Sequence, residues 1–315
     1  MMNAIQEITT NTTATTESIV PVTGVSSADK AESRDTGSSS VTSWKEAPTR
    51  TLSAGGVEFA YRELGPDTGV PVIFLTHLTA VLDNWDPRVV DGIAAKRRVI
   101  TFDNRGVGAS SGSTPTSIEK MASDAVTFIR ALGFDQVDLF GFSMGGMIAQ
   151  VIAIEQPQLV RKMILAGTGP AGGEGIEKVA RVTYLDVARG LLTRQDPKQF
   201  LFFTRTQNGR RAGKEFLARL EERTNDRDKP ISVRSLRAQL KAIRRWGQQQ
   251  PADLARIHQP VLVLNGESDK MVPSKNSVDL DRRLPNSQLV LYPDAGHGGV
   301  FQFHEDFVER ALQFL

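Results

Sequence analysis

The segment Gly141-Phe142-Ser143-Met144-Gly145 constrains the fold of this chain more than any other feature of the sequence. It lies between an apolar run at 137–140, typical of a buried strand, and a helical pattern at 147–153. A strand that turns directly into a helix needs small residues beside the turn, because the two backbones approach closely there. Such a turn predicts a strained serine at the end of a sheet, next to the positive end of a helix. Ser143 is therefore a candidate nucleophile.

The composition of the chain excludes several other kinds of site. None of the 315 residues is cysteine, which excludes disulfides, thiolate nucleophiles and cysteine-bound metals. The four histidines, His77, His258, His297 and His304, include no pair spaced to place two metal ligands on one helical face. We therefore expect neither a metal nor any other cofactor. A net charge of +2 argues against a nucleic-acid-binding protein.

Residues 1–48 form a segment rich in Ser and Thr and poor in large apolar side chains. This composition predicts a disordered tail, because the segment cannot bury enough surface to offset the entropy of ordering it. It lacks the basic start and apolar centre of a secretory signal. The chain has no apolar stretch of roughly 18 residues, the length that a membrane span needs. These features predict a cytoplasmic protein without a membrane partner.

Strands and helices alternate beyond this tail, which predicts a doubly wound, mostly parallel α/β sheet covered by helices on both faces. The predicted strands are 57–64, 70–76, 98–102, 137–140, 162–166, 261–264 and 287–292, and the predicted helices between and after them are 118–132, 144–155 and 305–315. This pattern divides the chain into a core of residues 49–168 and 251–315 and an insertion of residues 169–250.

The insertion shows helical patterns at 176–192, 214–222 and 233–246 but no convincing strand, which predicts a helical cap. Between residues 167 and 250 the chain has 18 Lys and Arg residues against 9 Asp and Glu residues. The simplest interpretation of this charge is a solvated helical face. An alternative is a basic inner surface that attracts an anionic substrate. Nucleic acid is a weaker interpretation, because no aromatic residues are interleaved with the basic ones.

A serine nucleophile requires a base, and the base requires an acid that orients it. In a doubly wound sheet we expect these groups just beyond the carboxyl ends of strands. Asp269 and His297 follow the last two predicted strands and are the candidate acid and base. Glu267 and His304 are the alternatives for these two roles. The order Ser, Asp, His along the chain is the one expected for such a sheet.

Two backbone N–H groups are expected to stabilise the oxyanion that forms when the serine attacks a carbonyl. One belongs to Met144, the residue after the nucleophile. The other comes from the loop at 76–80, where either Leu78 or Thr79 is the donor. The residue pattern alone leaves this choice open.

The chain resembles the α/β-hydrolase superfamily over residues 51–315, through T-H-L at 76–78, F-D-N-R-G-V-G-A-S at 102–110, G-F-S-M-G-G at 141–146, G-E-S-D-K-M-V-P at 266–273 and A-G-H-G at 295–298. The resemblance implies Ser143 as nucleophile, Asp269 as acid, His297 as base and a helical cap. Within the superfamily the chain is similar to the group of 3-oxoadipate enol-lactonases, small carboxylesterases and cofactor-free haloperoxidases. Serine rather than aspartate at the nucleophile position separates it from haloalkane dehalogenases and epoxide hydrolases.

One segment departs from the family pattern. Relatives usually carry His-Gly where this chain has His77-Leu78, and a side chain restricts the backbone angles that glycine permits. The favoured interpretation is a loop one residue shorter, in which Leu78 itself supplies the second oxyanion donor. An apolar side chain would then lie at the pocket entrance, with Trp85 and Trp246 as candidate substrate-binding residues.

We therefore expect a serine hydrolase that cleaves a small or medium carboxylic ester or lactone through an acyl-enzyme. Its expected partner is this small-molecule substrate, with no nucleic acid and no membrane. One alternative is a cofactor-free perhydrolase or haloperoxidase that uses the same triad. Another is a hydrolase-fold receptor or scaffold, in which turnover is incidental. The sequence does not predict an oligomeric state.

Overall fold

The computed structural model of the protein describes residues 43–315, and its centre is one eight-stranded sheet. The strands are β1 (Arg50–Ala54), β2 (Val57–Leu64), β3 (Val72–Leu75), β4 (Val99–Phe102), β5 (Val137–Phe142), β6 (Val160–Ala166), β7 (Val261–Gly266) and β8 (Ser287–Tyr292). Their order is β1-β2-β4-β3-β5-β6-β7-β8; β2 pairs antiparallel with β1 and β4, and the other neighbours are parallel. Strands β3, β4, β5 and β7 are buried at every position, as their apolar runs predicted.

Helices connect these strands and cover the sheet. They are α1 (Pro87–Ala94), α2 (Ile118–Ala131), α3 (Met144–Glu155), α4 (Val179–Thr193), α5 (Lys198–Phe202), α6 (Gln207–Leu220), α7 (Val233–Gly247), α8 (Lys275–Arg283), α9 (Gly299–Gln302) and α10 (His304–Phe314). Helix α2 packs against α3, and α1 packs against α10. The predicted α/β class with a mostly parallel sheet is confirmed.

Helices α4 to α7 make up the insertion between β6 and β7, where the sequence predicted a cap. The pattern at 176–192 corresponds to a short 3-10 turn followed by α4, and the pattern at 214–222 is the second half of a longer helix that begins at Gln207. Helix α5 was not predicted, because five residues are too few to show a helical period. Across residues 43–315, no helix has the length and apolar character needed to cross a membrane.

Residues 43–48 differ from the predicted tail, because they pack on the folded core. Trp44 and Ala47 are buried. The Arg223 guanidinium donates hydrogen bonds to the carbonyl oxygens of Trp44 (3.2 Å) and Ala47 (2.9 Å). The tail boundary predicted at residue 48 is therefore wrong for this segment, and the remainder of the predicted tail, residues 1–42, lies outside the described residues.

Four elements of the core were not predicted from the sequence, namely β1, α1, α8 and α9, and the first two were missed for identifiable reasons. β1 is largely exposed and lacks an apolar run, and its pairing with β2 depends on the Gly55-Gly56 turn, where both glycines have positive φ. Helix α1 contains Gly92, which weakens the helical pattern. A Cβ at Gly92 would lie 2.8 Å from the methyl groups of Val308 on α10. The glycine therefore lets these two helices approach closely.

A pair of carboxyl groups joins the core to the cap. Asp103, directly after β4, and Asp228, between α6 and α7, both lie near the Leu82 N–H, at 3.0 and 3.3 Å. Burial, and next the adjacent Asp228 carboxyl, raise the pKa of Asp103 well above its usual range. Asp103 therefore holds its proton to a higher pH than an ordinary carboxyl group does.

The stability of this contact should depend on pH, and the sign follows from the raised pKa of Asp103. A carboxyl group whose pKa is raised in the folded state contributes fully to stability at pH values below its ordinary pKa, about 4. That contribution is lost as the pH rises through the pKa of the folded state. An Asp228→Asn variant removes the carboxyl–carboxyl repulsion. Its melting temperature relative to wild type should therefore be higher at pH 9 than at pH 5. An equal difference at both pH values would show that the Asp228 carboxyl does not help to raise the pKa of Asp103.

Candidate active site

Three side chains that follow separate strands meet at one edge of the sheet. Ser143 follows β5, Asp269 follows β7 and His297 follows β8. The Ser143 hydroxyl lies 2.9 Å from His297 Nε2, and His297 Nδ1 lies 2.7 Å from Asp269 Oδ2. All three residues are buried. The other Asp269 oxygen accepts the backbone N–H groups of Met271 (2.7 Å) and Val272 (3.0 Å), which fixes the carboxylate.

The alternative acid and base considered from the sequence lie elsewhere. Glu267 is exposed, whereas the carboxylate bonded to His297 is that of Asp269. His304 is the first residue of α10 and is not among the residues that line the cavity at Ser143. The structure therefore brings together Ser143, Asp269 and His297 and excludes the two alternatives from this contact.

The backbone at Ser143 is strained, as the short turn predicted. Its φ of 56° and ψ of −117° lie in a region that costs a non-glycine residue about 1–3 kcal/mol. A Cβ at Gly145 would lie 1.9 Å from the carbonyl oxygen of Leu75, and one at Gly141 would lie 2.5 Å from the carbonyl oxygen of Gly145. Only glycine fits at these two positions, so the motif that identified the turn is explained by sterics.

The loop after β3 has one N–H group occupied and one available. The Thr79 N–H donates to Oε1 of Gln239 on α7 at 2.8 Å, and this contact accompanies a φ of 67° at Thr79. Among residues 43–315, neither the Leu78 N–H nor the Met144 N–H donates to another group. The geometry thus favours Leu78 over Thr79 as the second donor. Gln239 gave no sequence signal, because its position on a cap helix does not indicate which loop it contacts.

A second histidine, His77, lies in the site and was not given a role from the sequence. Its Nδ1 lies 2.8 Å from the Leu78 carbonyl oxygen, so Nδ1 carries the proton that this bond requires. Burial lowers the pKa of His77 to about 3, and the nearby charges of Lys198 and His297 act in the same direction. His77 is therefore neutral near pH 7 and too weakly basic to replace His297.

The arrangement of strand, strained serine, helix and hydrogen-bonded histidine is matched by one family of known proteins. The family model described as the alpha/beta hydrolase fold matches residues 70–303. This chain is an α/β hydrolase. The match spans the sheet from β3 to β8, the serine turn, the whole cap and the loops that carry Asp269 and His297.

Individual relatives of this hydrolase cover between 71% and 86% of its chain. An α/β-hydrolase-fold protein from Chitinophaga pinensis is 40% identical, covers 86% of this chain and 98% of its own, and superposes with a TM-score of 0.82. BpoC of Mycobacterium tuberculosis, provisionally named a non-heme bromoperoxidase, is 27% identical over 82% of this chain and 98% of its own. A pimeloyl-[acyl-carrier protein] methyl ester esterase from Nitrosomonas europaea is 28% identical over 71% of this chain and 87% of its own.

The hydrolase has two adjoining cavities at this edge of the sheet. A small cavity of about 20 Å³ lies beside Ser143 and His297. A larger one of about 540 Å³ lies between the core and the cap. Thr79 and Lys198 line both cavities. The two cavities therefore share part of their walls.

The two tryptophans predicted to bind substrate do not line either cavity of the hydrolase. The Trp85 ring packs in the core against Phe74 and Phe140, with ring centroids 4.9 and 5.4 Å apart. Trp246 is buried, and its Nε1–H donates to the Gly169 carbonyl oxygen at 3.2 Å. The structure therefore does not support the sequence-based assignment. Residue type alone could not decide it, because a large aromatic side chain is equally suited to core packing.

Proposed function

We propose that this protein is a serine hydrolase that cleaves a small or medium carboxylic ester or lactone through an acyl-enzyme. The observation that carries the proposal is the continuous chain of hydrogen bonds from Ser143 through His297 to Asp269. A serine hydroxyl becomes nucleophilic when a neighbouring base takes its proton as it attacks. Membership of the hydrolase family supports hydrolysis in general, and the esterase relative supports an ester substrate.

In the proposed mechanism, Ser143 Oγ attacks the substrate carbonyl while its proton moves to His297 Nε2. Asp269 accepts the Nδ1–H bond, which holds the required tautomer and stabilises the imidazolium. The carbonyl oxygen becomes an oxyanion, and the Leu78 and Met144 N–H groups donate to it. His297 then gives its proton to the departing alcohol oxygen, leaving an acyl group on Ser143.

The second half of the proposed reaction regenerates the serine. A water molecule attacks the acyl carbonyl while His297 Nε2 accepts one of its protons. Collapse of the second tetrahedral intermediate returns that proton to Ser143 Oγ and releases the carboxylic acid. The buried state of all three side chains supports this scheme, since hydrogen bonds are stronger where water is excluded.

The proposal is tested by labelling with a fluorophosphonate and by a panel of esters and lactones of increasing acyl length. We expect one phosphonyl adduct, located at Ser143 by mass spectrometry of the digested protein, together with loss of p-nitrophenyl butyrate hydrolysis. The label depends on the activated hydroxyl, so prior heat denaturation should abolish it. Labelling at a different residue, or full ester turnover by the labelled protein, would refute the mechanism.

A perhydrolase reaction is the second candidate, and similarity to BpoC supports it. Hydrogen peroxide would replace water in the second half-reaction, so that the acyl-enzyme yields a peracid and free Ser143. The peracid would then oxidise bromide in solution. Bromination of a dye that requires acetate, bromide and hydrogen peroxide, with a rate above that of ester hydrolysis, would favour this candidate. Hydrolysis that continues unchanged in peroxide, without bromination, would exclude it.

A further inference from the structure

Lys198 is a cationic residue in the lining of the cavity that contains Ser143 and His297. It lies at the start of α5 and lines both the small cavity at Ser143 and the larger cavity between core and cap. Its side chain is only 14% exposed. Among residues 43–315, Lys198 is the only Lys or Arg that lines the small cavity. A positive charge thus lies in the wall that the two cavities share.

The ammonium group of Lys198 is only weakly paired within the protein. Its nearest carboxylate oxygen is Asp196 Oδ2 at 3.5 Å, longer than the roughly 2.7–2.9 Å of a strong charged hydrogen bond. The other Asp196 oxygen accepts the backbone N–H of Lys198 at 2.8 Å, and the Asp196 side chain is 36% exposed. Asp196 therefore leaves the Lys198 ammonium donors available to a ligand.

The other charged groups at the larger cavity are held by partners of their own. Asp83 binds the Arg62 guanidinium at 2.7 Å. Arg227 pairs with Glu221 and lies 3.6 Å from Asp83. Asp228 faces the Asp103 carboxyl described above. Apart from Asp196, the acidic residues that line this cavity therefore contact groups other than Lys198.

The surroundings of Lys198 strengthen an interaction with an anion. Leu78, Leu201, Phe202 and Met271 line the same small cavity, so the local dielectric constant is low. His77 lies in the same cavity but is neutral near pH 7, and so it contributes no charge. A carboxylate that reaches this point gains a strong interaction only from the ammonium group.

We propose that Lys198 binds a free carboxylate of the substrate, so that the enzyme prefers an ester or lactone carrying a second acidic group, such as a monoester of a dicarboxylic acid. This inference rests on the proposed hydrolase function and specifies its substrate class. The carboxylate lies away from the reacting carbonyl and is bound equally in the ground state and the transition state. Lys198 therefore acts mainly on KM.

The test compares two esters that differ in one carboxylate, p-nitrophenyl butyrate and the mono-p-nitrophenyl ester of glutaric acid. The measured quantity is the ratio of kcat/KM for the glutarate ester to kcat/KM for the butyrate ester. Lys198→Met keeps the apolar stem and removes the charge, and it should lower this ratio by about 10- to 100-fold. The change should come mainly from a higher KM for the glutarate ester. Lys198→Gln serves if the methionine variant does not fold.

Two further variants separate a local contact from general attraction by the basic cap. Lys198→Arg keeps the charge and should retain most of the ratio. Lys241→Met removes one exposed charge from α7 and should leave the ratio within about twofold of wild type.

An unchanged ratio in Lys198→Met, or an equal fall in Lys241→Met, would overturn the carboxylate contact while ester turnover still supports the proposed function. A wild-type protein that hydrolyses neither ester and takes up no fluorophosphonate would overturn both.

Discussion

Replacing Ser143 by alanine is expected to lower kcat for p-nitrophenyl butyrate by about 10⁴-fold or more. The hydroxyl is the only group that the substitution removes, and its oxygen lies 2.9 Å from His297 Nε2. Without it no acyl-enzyme forms, and only unassisted attack by water in the oxyanion site remains. Initial rates measured at saturating ester, with fluorophosphonate uptake as a second readout, give the result directly.

A loss of activity is informative only if the variant is folded. A φ of 56° is unfavourable for alanine and serine alike, so Ser143→Ala should melt within a few degrees of wild type. Ser53→Ala, on the exposed edge strand β1, is the matched control and should keep wild-type kcat. If folded Ser143→Ala retained more than about a tenth of wild-type turnover, a different nucleophile would be acting.

The sequence predicted the triad positions because they depend on local features with fixed meaning. Gly141 and Gly145 are required by close backbone approach, so the motif specifies the serine turn wherever it follows a strand. Asp269 and His297 follow predicted strands, and parallel strands bring their carboxyl ends to one edge. The sequence pattern therefore contained the geometry that the structure shows at these three side chains.

The contacts between the core and the cap could not be predicted in the same way. Gln239, Asp228 and Lys198 belong to an insertion whose helices are amphipathic, but helical period does not say which loop of the core each face meets. The tryptophans show the converse error: Trp85 and Trp246 were chosen for residue type, and both proved to be packed away from the cavities. Trp44 was missed because one apolar residue in a polar segment carries no periodic signal.

A second large effect is expected from Asp83→Ala, which should lower the free energy of unfolding by about 3–5 kcal/mol. Asp83 and Arg62 are both buried, and Asp83 Oδ1 lies 2.7 Å from a guanidinium nitrogen of Arg62. Arg223, also buried, lies 3.7 Å from the same carboxylate. Removing Asp83 leaves two guanidinium groups without this carboxylate in a region from which water is excluded, and an unpaired buried charge is far more costly than a lost surface pair.

Urea unfolding followed by tryptophan fluorescence measures this change, and Asp67→Ala provides the control. Asp67 pairs with Arg98 at the surface, and its loss should cost less than about 1 kcal/mol because solvent screens the charges. Adding Arg62→Met to Asp83→Ala removes one of the unpaired guanidinium groups and should recover part of the loss. Equal costs for the two aspartate substitutions, or a further loss in the double variant, would show that burial of the charge does not determine the stability of this contact. Since Arg62 belongs to β2 and Arg223 to the cap, the same carboxylate joins the cap to the core.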